Sequence, residues 1–359
     1  MYNNDNKINL ITGDKCWMEH TALKQLEALG KLDGVTKVVG LPDLHAGKIP
    51  VGVALETDKI IYPNLIGGDI GCGMSLFETN CQIRKFKPDR IIIKLNNIRN
   101  LEDIPTENPH PEPSPITNLG TIGGGNHFAE YQKVHKIVDK ETFDSLGINK
   151  NQILMLVHCG SRGYGQKVLS QFCDTNGLSS DSDRALEYMK NHDNALLWAG
   201  RNRRLVAEKL MDHIGYSSEI KLLLESNHNY LSRESGRFVH RKGSVSALDG
   251  AVIIPGSRGT LTYIVKPTEN TDLSLNSLSH GAGRKWARSI CKSRIRDKYD
   301  KNTIRQSRLG SKTVCHDTEL LYQEAPEAYK SITHVIDALV SHKLCTVVAT
   351  LCPIITFKG

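Results

Sequence analysis

Asp69 and Cys72 lie three residues apart in Gly67-Gly68-Asp69-Ile70-Gly71-Cys72-Gly73, a carboxylate and a thiol among four glycines. Glycine accepts backbone angles that a Cβ forbids, so such a loop can curl tightly and aim both side chains at one cation. A Gly-rich turn with a buried free cysteine is the competing reading of this segment alone. Three further segments set a histidine beside glycine or small polar residues: Gly125-Asn126-His127-Phe128, Val157-His158-Cys159-Gly160 and Ser226-Asn227-His228-Asn229. Together Asp69, Cys72, His127, His158 and His228 offer one carboxylate, one thiolate and three imidazoles. That exceeds the needs of one tetrahedral ion and points to two adjacent ions sharing a bridging ligand.

The second chemical segment is Ser279-His280-Gly281-Ala282-Gly283-Arg284, followed by a basic stretch. If a helix begins there, the N–H groups of Gly281, Ala282 and Gly283 form a phosphate cradle at its positive end, and Arg284 adds a bidentate contact. A neutral imidazole beside such a cradle can attack phosphorus and carry a nucleotide on nitrogen. Otherwise His280 is only a residue at a helix N-terminus.

The elements that must hold these groups read as strands at 37–40, 51–55, 59–62, 74–79, 153–157, 251–254 and 261–265. Helices are expected at 182–214, 284–296 and 332–342. Between 104 and 116 there are five prolines, so that stretch is expected to be a loop. Candidate ligands fall on both sides of it, which favours one domain over 1–359 of the α+β class. The segment 346–357 is apolar and β-prone apart from Pro353, so it should anchor the tail and hold Lys358 in place.

The chain has 359 residues, 39% of them hydrophobic, and a formal charge of +7 from 46 basic and 39 acidic residues. The excess is concentrated at Arg201, Arg203 and Arg204 and in the run from Arg284 to Lys298. Either cluster is a solvated helix face or a track for a nucleic-acid backbone. Nine irregularly spaced cysteines, a polar start and the lack of a long apolar run point away from a disulfide framework or a membrane and toward a reducing cytoplasm.

The blocks Pro42-Asp43-Leu44-His45-Ala46-Gly47, Gly68-Asp69-Ile70-Gly71-Cys72-Gly73, Gly123-Gly124-Gly125-Asn126-His127-Phe128-Ala129-Glu130, His158-Cys159-Gly160-Ser161-Arg162-Gly163, Pro255-Gly256-Ser257-Arg258-Gly259-Thr260, Ser279-His280-Gly281-Ala282-Gly283-Arg284 and Lys358-Gly359 together resemble the RtcB family of RNA ligases. Seven blocks in the family's order make a chance match implausible. The resemblance implies a compact fold of mixed β-sheets packed as a sandwich-like core flanked by helices. It also implies joining of RNA 3′-phosphate or 2′,3′-cyclic phosphate ends to 5′-hydroxyl ends, with GTP and two manganese ions, through GMP carried on His280.

Residue by residue, the resemblance makes Cys72 a bridge between the ions, with His127 and His158 completing one site and Asp69 and His228 the other. Asn126, Glu130, Ser257, Thr262, Ala282, Gly283, Arg284 and Lys358 fall at guanylate-holding positions. Arg162 suits the RNA terminal phosphate. Trp198-Ala199 with Asn202-Arg203 is similar to a family helix expected to meet RNA. Asp43 and His45 are expected to orient the ligand imidazoles. Donor softness alone favours zinc over manganese, so the manganese rests on the resemblance.

The chain is shorter than typical members, is compressed over 94–117, and has Ala46 where proline is common. These departures look like the short branch coupled to a release-factor homologue, with broken RNA of the translation machinery, rRNA or tRNA, as substrate. Two alternatives from other classes are a metal-dependent phosphatase or cyclic phosphodiesterase acting on RNA ends, which leaves His280 and Lys358 idle, and a non-catalytic RNA-binding protein with a structural zinc.

Overall fold

A computed structural model describes residues 7–105, 119–173 and 176–359. Most of the proline-rich stretch expected to be a loop lies outside them. The largest element is a mixed sheet ordered Val252–Pro255, Thr262–Pro267, Cys345–Lys358, Phe128–Ile137, Gln152–Cys159, Gly73–Gln82, Ile220–Asn227. Lys312–Cys315 runs parallel to the end of Cys345–Lys358, whereas the other neighbours are antiparallel. A second sheet is ordered Ile8–Leu10, Val35–His45, Val51–Thr57, Arg237–Lys242, Asn229–Glu234, with only the first pair parallel.

Side-chain alternation explains why the large sheet is covered on both faces. In Gln152–Cys159, the odd-numbered Ile153, Met155, Val157 and Cys159 pack with Val206, Ala207, Leu210 and Met211 of the helix Asp183–His213. The even-numbered Leu154 and Leu156 pack with Met74, Leu76, Ile253, Ile264 and Val348. A further apolar layer joins Val39, Leu41, Ala54 and Val239 of the second sheet to Val252, Ile254 and Val265 of the first and to the helix Ile332–Ser341. The expected α+β sandwich with flanking helices is therefore present.

The helix Asp183–His213 starts where the Ser182 side chain accepts a hydrogen bond from the Ala185 N–H, satisfying one of the first-turn donors that a helix leaves open. It spans 31 residues, close to the expected 182–214. The expected strands are found, although 59–62 contributes only the pair Ile60–Ile61 to Leu178–Ser179. Cys345–Lys358 tolerates Pro353 because the register with Phe128–Ile137 shifts between Pro353 and Ile355, where the ladder needs no proline N–H.

The helix expected over 284–296 is corrected to Arg288–Ile295. Arg284 instead forms a β-bridge with Tyr329, and the N–H groups of Lys285 and Trp286 donate to the Ala328 carbonyl. These tertiary bonds hold the first turn out of helical form. Among the described residues, no helix is long and apolar enough to cross a membrane.

Candidate active site

The site forms at one end of the large sheet because four strand ends fall into register. His158 stands opposite both Phe128 and Met74, and Met74 opposite Ser226. His127 directly precedes Phe128, Cys72 precedes Met74 by two residues, and His228 follows Ser226 by two. The His228 N–H donates to the Cys72 carbonyl at 2.8 Å. At Gly71, φ is +70° and an added Cβ would meet the Ala199 Cβ at 2.9 Å, so glycine lets the Asp69–Cys72 turn sit tightly on the long helix.

All five expected metal ligands converge. Cys72 Sγ lies 3.3 Å from Nε2 of both His127 and His158. Asp69 Oδ2 is 3.0 Å from His127 Nε2, and His228 Nε2 is 3.3 Å from His158 Nε2. Cys72, His127 and His158 on their own offer ligand atoms spaced for one ion. That trio is the one expected to share an ion; by closest approach Asp69 stands with His127, and His228 with His158, on the two sides of Cys72.

The electrostatics fit a cation. His158 Nδ1 faces the Asn126 carbonyl at 3.2 Å, so it carries the proton and Nε2 presents its lone pair inward. Burial pushes His158 and His228 well below the usual imidazole range, each reinforced by neighbouring histidines, which keeps both rings in the ligating form. Burial opposes ionisation of Asp69, but the His127 hydrogen bond and charge hold its carboxyl below the usual range. Burial and the Asp69 charge push the Cys72 thiol far up, and a cation among these donors would reverse that. A structural zinc would close its four ligands and stop there, whereas five donors meet here.

His280 follows the short strand Ser277–Ser279, which pairs with Ser244–Ser246. Its Nδ1 donates to Asp43 Oδ2 at 2.6 Å and its backbone N–H to the same oxygen at 3.2 Å. Nε2 is left as the free nitrogen, and the ring lies 4.7 Å from that of His228, centroid to centroid. Asp43 is fully buried, and although burial opposes it, the bond to His280 keeps its carboxyl below the usual range. Asp43 therefore orients His280, not a ligand imidazole as expected. His45 also departs from expectation: its Nδ1 is 2.9 Å from the Asp43 carbonyl.

A cavity of about 470 Å³ connects His280 to the five candidate metal ligands. Asn126, Glu130, Ser257, Ala282, Gly283, Arg284, His45 and Lys358 line it with them. Lys358 is buried and donates to the His127 carbonyl at 2.9 Å, so the chain end is pinned as the strand propensity implied. Burial lifts Glu130 to about 7. Gly283, with φ +69°, lets its loop lie against Asp43, whose carbonyl a Cβ would meet at 2.2 Å.

Several expectations about individual side chains are revised. The Gly281–Gly283 cradle lies on a loop, since the helix begins only at Arg288. Arg284 lines the cavity, but its N–H groups donate to Trp286 O, Glu324 Oε1, Tyr329 Oη, Cys291 Sγ and Gln323 O, which leaves no free fork for phosphate. Thr262 lies behind the wall, where Gln132 Nε2 donates to its hydroxyl. Asn202 and Arg203 are fully buried beneath the site, so the expected RNA contacts are not available to them. Arg203 donates to Ser75 Oγ, Gly71 O, Cys159 O, Glu225 Oε1 and Asn227 Oδ1, clamping the segments that carry Cys72, His158 and His228.

Arg162, strained at φ 54°, places Nη1 2.9 Å from His127 Nδ1. Arg288 of the basic run lines the cavity too, while sequence reasoning missed Asn229, Lys242, Arg258, Glu324 and Tyr329 on its wall. Arg258 and Asn229 sat inside motifs already singled out, whereas nothing local marked Glu324 or Tyr329.

The sequence model of a family described as tRNA-splicing ligase RtcB matches residues 25–107 and 100–359. The chain is 39% identical to the RNA-splicing ligase RtcB2 of Escherichia coli, covering 97% of this chain and 95% of that protein. It is 27% identical to RNA-splicing ligase RtcB homolog 1 of Entamoeba histolytica (94% and 84% covered) and 26% identical to the tRNA-splicing ligase RtcB of Archaeoglobus fulgidus (95% and 92%). With its length matched nearly end to end and its ligand and histidine motifs gathered around one cavity, the chain belongs to the RtcB family of RNA ligases.

Proposed function

We propose that this protein joins RNA 3′-phosphate or 2′,3′-cyclic phosphate ends to 5′-hydroxyl ends, using GTP and manganese, through GMP carried on His280. The observation that carries the reading is the Asp43–His280 hydrogen bond. It fixes the proton on Nδ1 and leaves Nε2 as a nucleophile on the cavity shared with the metal cluster. A hydrolase could use the same pair as a general base, but it would form no covalent nucleotide on His280, which the labelling test below reads.

His280 Nε2 attacks the α-phosphorus of GTP, forming a P–N bond as the bond to pyrophosphate breaks. An RNA 3′-phosphate oxygen then displaces the imidazole, taking GMP. Finally the 5′-hydroxyl oxygen attacks the RNA phosphorus, GMP departs, and the hydroxyl proton passes to solvent. A cyclic end is first opened by hydrolysis. Capping the 3′-phosphate supplies the leaving group that a dianionic monoester lacks.

Asp69, Cys72 and His127 would hold one divalent ion, and Cys72, His158 and His228 the other. Bound there, the ions would supply Lewis-acid neutralisation of phosphate charge. Ligation through His127 Nε2 keeps that ring's proton on Nδ1, 3.2 Å from the Ile122 carbonyl, and this releases the Arg162 guanidinium for a terminal phosphate. Asn126, Glu130, Ser257, Ala282, Gly283 and Lys358 line the space for the guanylate. We place the substrates among broken RNAs of the translation machinery in the cytoplasm, with functional coupling to a release-factor homologue.

The test is incubation with manganese and GTP labelled at the α-phosphate. Protein-bound label stable to alkali and lost in acid, absent from His280→Ala, is expected. No label on the wild-type protein overturns the reading.

A further inference from the structure

Beside the candidate active site lies a second concavity, of about 740 Å³, continuous with the first across His45, Ala46 and Arg288. Trp17, Lys285, Trp286 and Arg294 line it, and it is not part of the machinery assigned above. Trp17 is 51% exposed. Lys285 Nζ stands 4.8 Å and the Arg294 guanidinium 4.9 Å from the Trp286 ring centre. Other cations of this basic stretch are spent on carboxylates: Arg288 on Glu324 and Lys292 on Glu319. Among the described residues, Lys285 and Arg294 have no carboxylate at ion-pair distance and meet only the indole.

We propose that this groove binds single-stranded RNA leading to the reacting end, with a base stacked on Trp17 and phosphates paired with Lys285 and Arg294. The exposed Trp17 indole beside unpaired cations matches the alternation of flat bases and anionic phosphates in an unpaired strand. In a duplex the base faces are already stacked on one another, so Trp17 would gain nothing. The continuity with the His280 cavity puts the strand where a terminal phosphate must enter. The inference rests on the ligase reading for the identity of the strand, and on the groove itself for its chemistry.

The test measures binding of a short fluorescent unpaired RNA to the metal-loaded full-length protein by polarisation at several salt concentrations. Trp17→Leu is expected to weaken binding about tenfold, Trp17→Phe to keep most of the affinity, and Arg294→Glu to weaken it and flatten its salt dependence. In ligation, Trp17→Leu should raise the KM for RNA and change kcat little. Trp17 is half exposed, and melting curves verify that its variants fold.

Unchanged affinity in both Trp17→Leu and Arg294→Glu overturns the proposal. So does equal loss with a duplex of the same sequence, or tighter binding of an acidic peptide than of RNA. If the wild type takes no label from GTP, the ligase reading fails, while the binding arms still decide what the groove holds.

Discussion

Asp43 Oδ2 accepts a 2.6 Å hydrogen bond from His280 Nδ1 across 237 residues of sequence. The carboxylate fixes which ring nitrogen keeps its lone pair. Asp43→Asn can present an amide N–H to Nδ1 and stabilise the opposite tautomer. Formation of the acid-labile GMP adduct should fall by about a hundredfold or more, in the range of a lost acid–base partner. Single-turnover labelling measures it.

Cys72 stands among the candidate metal ligands, 3.3 Å from each of His127 and His158. Cys72→Ser should lower the bound-metal stoichiometry measured by elemental analysis and abolish labelling. Chelator-treated wild type should lose labelling and regain it with manganese. Zinc, which suits a thiolate with imidazoles, should bind and inhibit; equal labelling with zinc would remove the case for manganese.

Arg203 is fully buried, with its fork filled by five protein oxygens. Arg203→Met strands those acceptors and the Glu225 charge. Metal-free protein should lose about 3 kcal/mol in urea unfolding, the lower end of the range for a broken buried pair because Glu225 keeps some contact with water. Salt should restore little of it. A change of less than about 0.5 kcal/mol, as for ordinary surface sites, would return Arg203 to the surface role expected from sequence.

Burial lifts Glu130 to about 7 from an ordinary 4.5, even though the Thr356 and Gln132 hydrogen bonds favour its charge. Between those values the folded state binds the extra proton, so this group's contribution to stability is present below pH 4.5 and is lost as pH rises through 7. Its size is about 3 kcal/mol at most. Glu130→Gln should therefore show a flatter stability profile over this window than wild type, measured by denaturation at stepped pH.

Lys358 is buried and donates to the His127 carbonyl, while the strand before it is paired on both sides. Deleting Lys358 and Gly359 should abolish labelling yet lower stability by only about 2 kcal/mol, the cost of the side-chain hydrogen bond and the terminal pairing with Cys315. Labelling and a thermal melt on the same sample check both halves.

The legible parts of the site were those encoded within a few residues. Asp69 with Cys72, and His280 with its glycines, carry residue types whose chemistry does not depend on distant partners. The long helix and the tail strand were legible because a period of 3.6 and a β-branched run speak for themselves over many residues. Strands such as Phe128–Ile137 and Arg237–Lys242 went unmarked, because polar and charged residues, buried ones such as Glu130 and Arg241 among them, interrupt the alternation.

Sequence by itself determined the candidate ligands, the nucleophile candidate, the membership of the RtcB family and the α+β class. Tertiary structure decided the convergence of the candidate ligands about Cys72, the contact of Asp43 with His280, the burial of Arg203 and Asn202, and the loss of the first helical turn after Arg284. Each of these depends on register between strands or on bonds between segments hundreds of residues apart. Spacing along the chain carries no record of which partner a side chain meets across a sheet, so only the packed molecule can supply it.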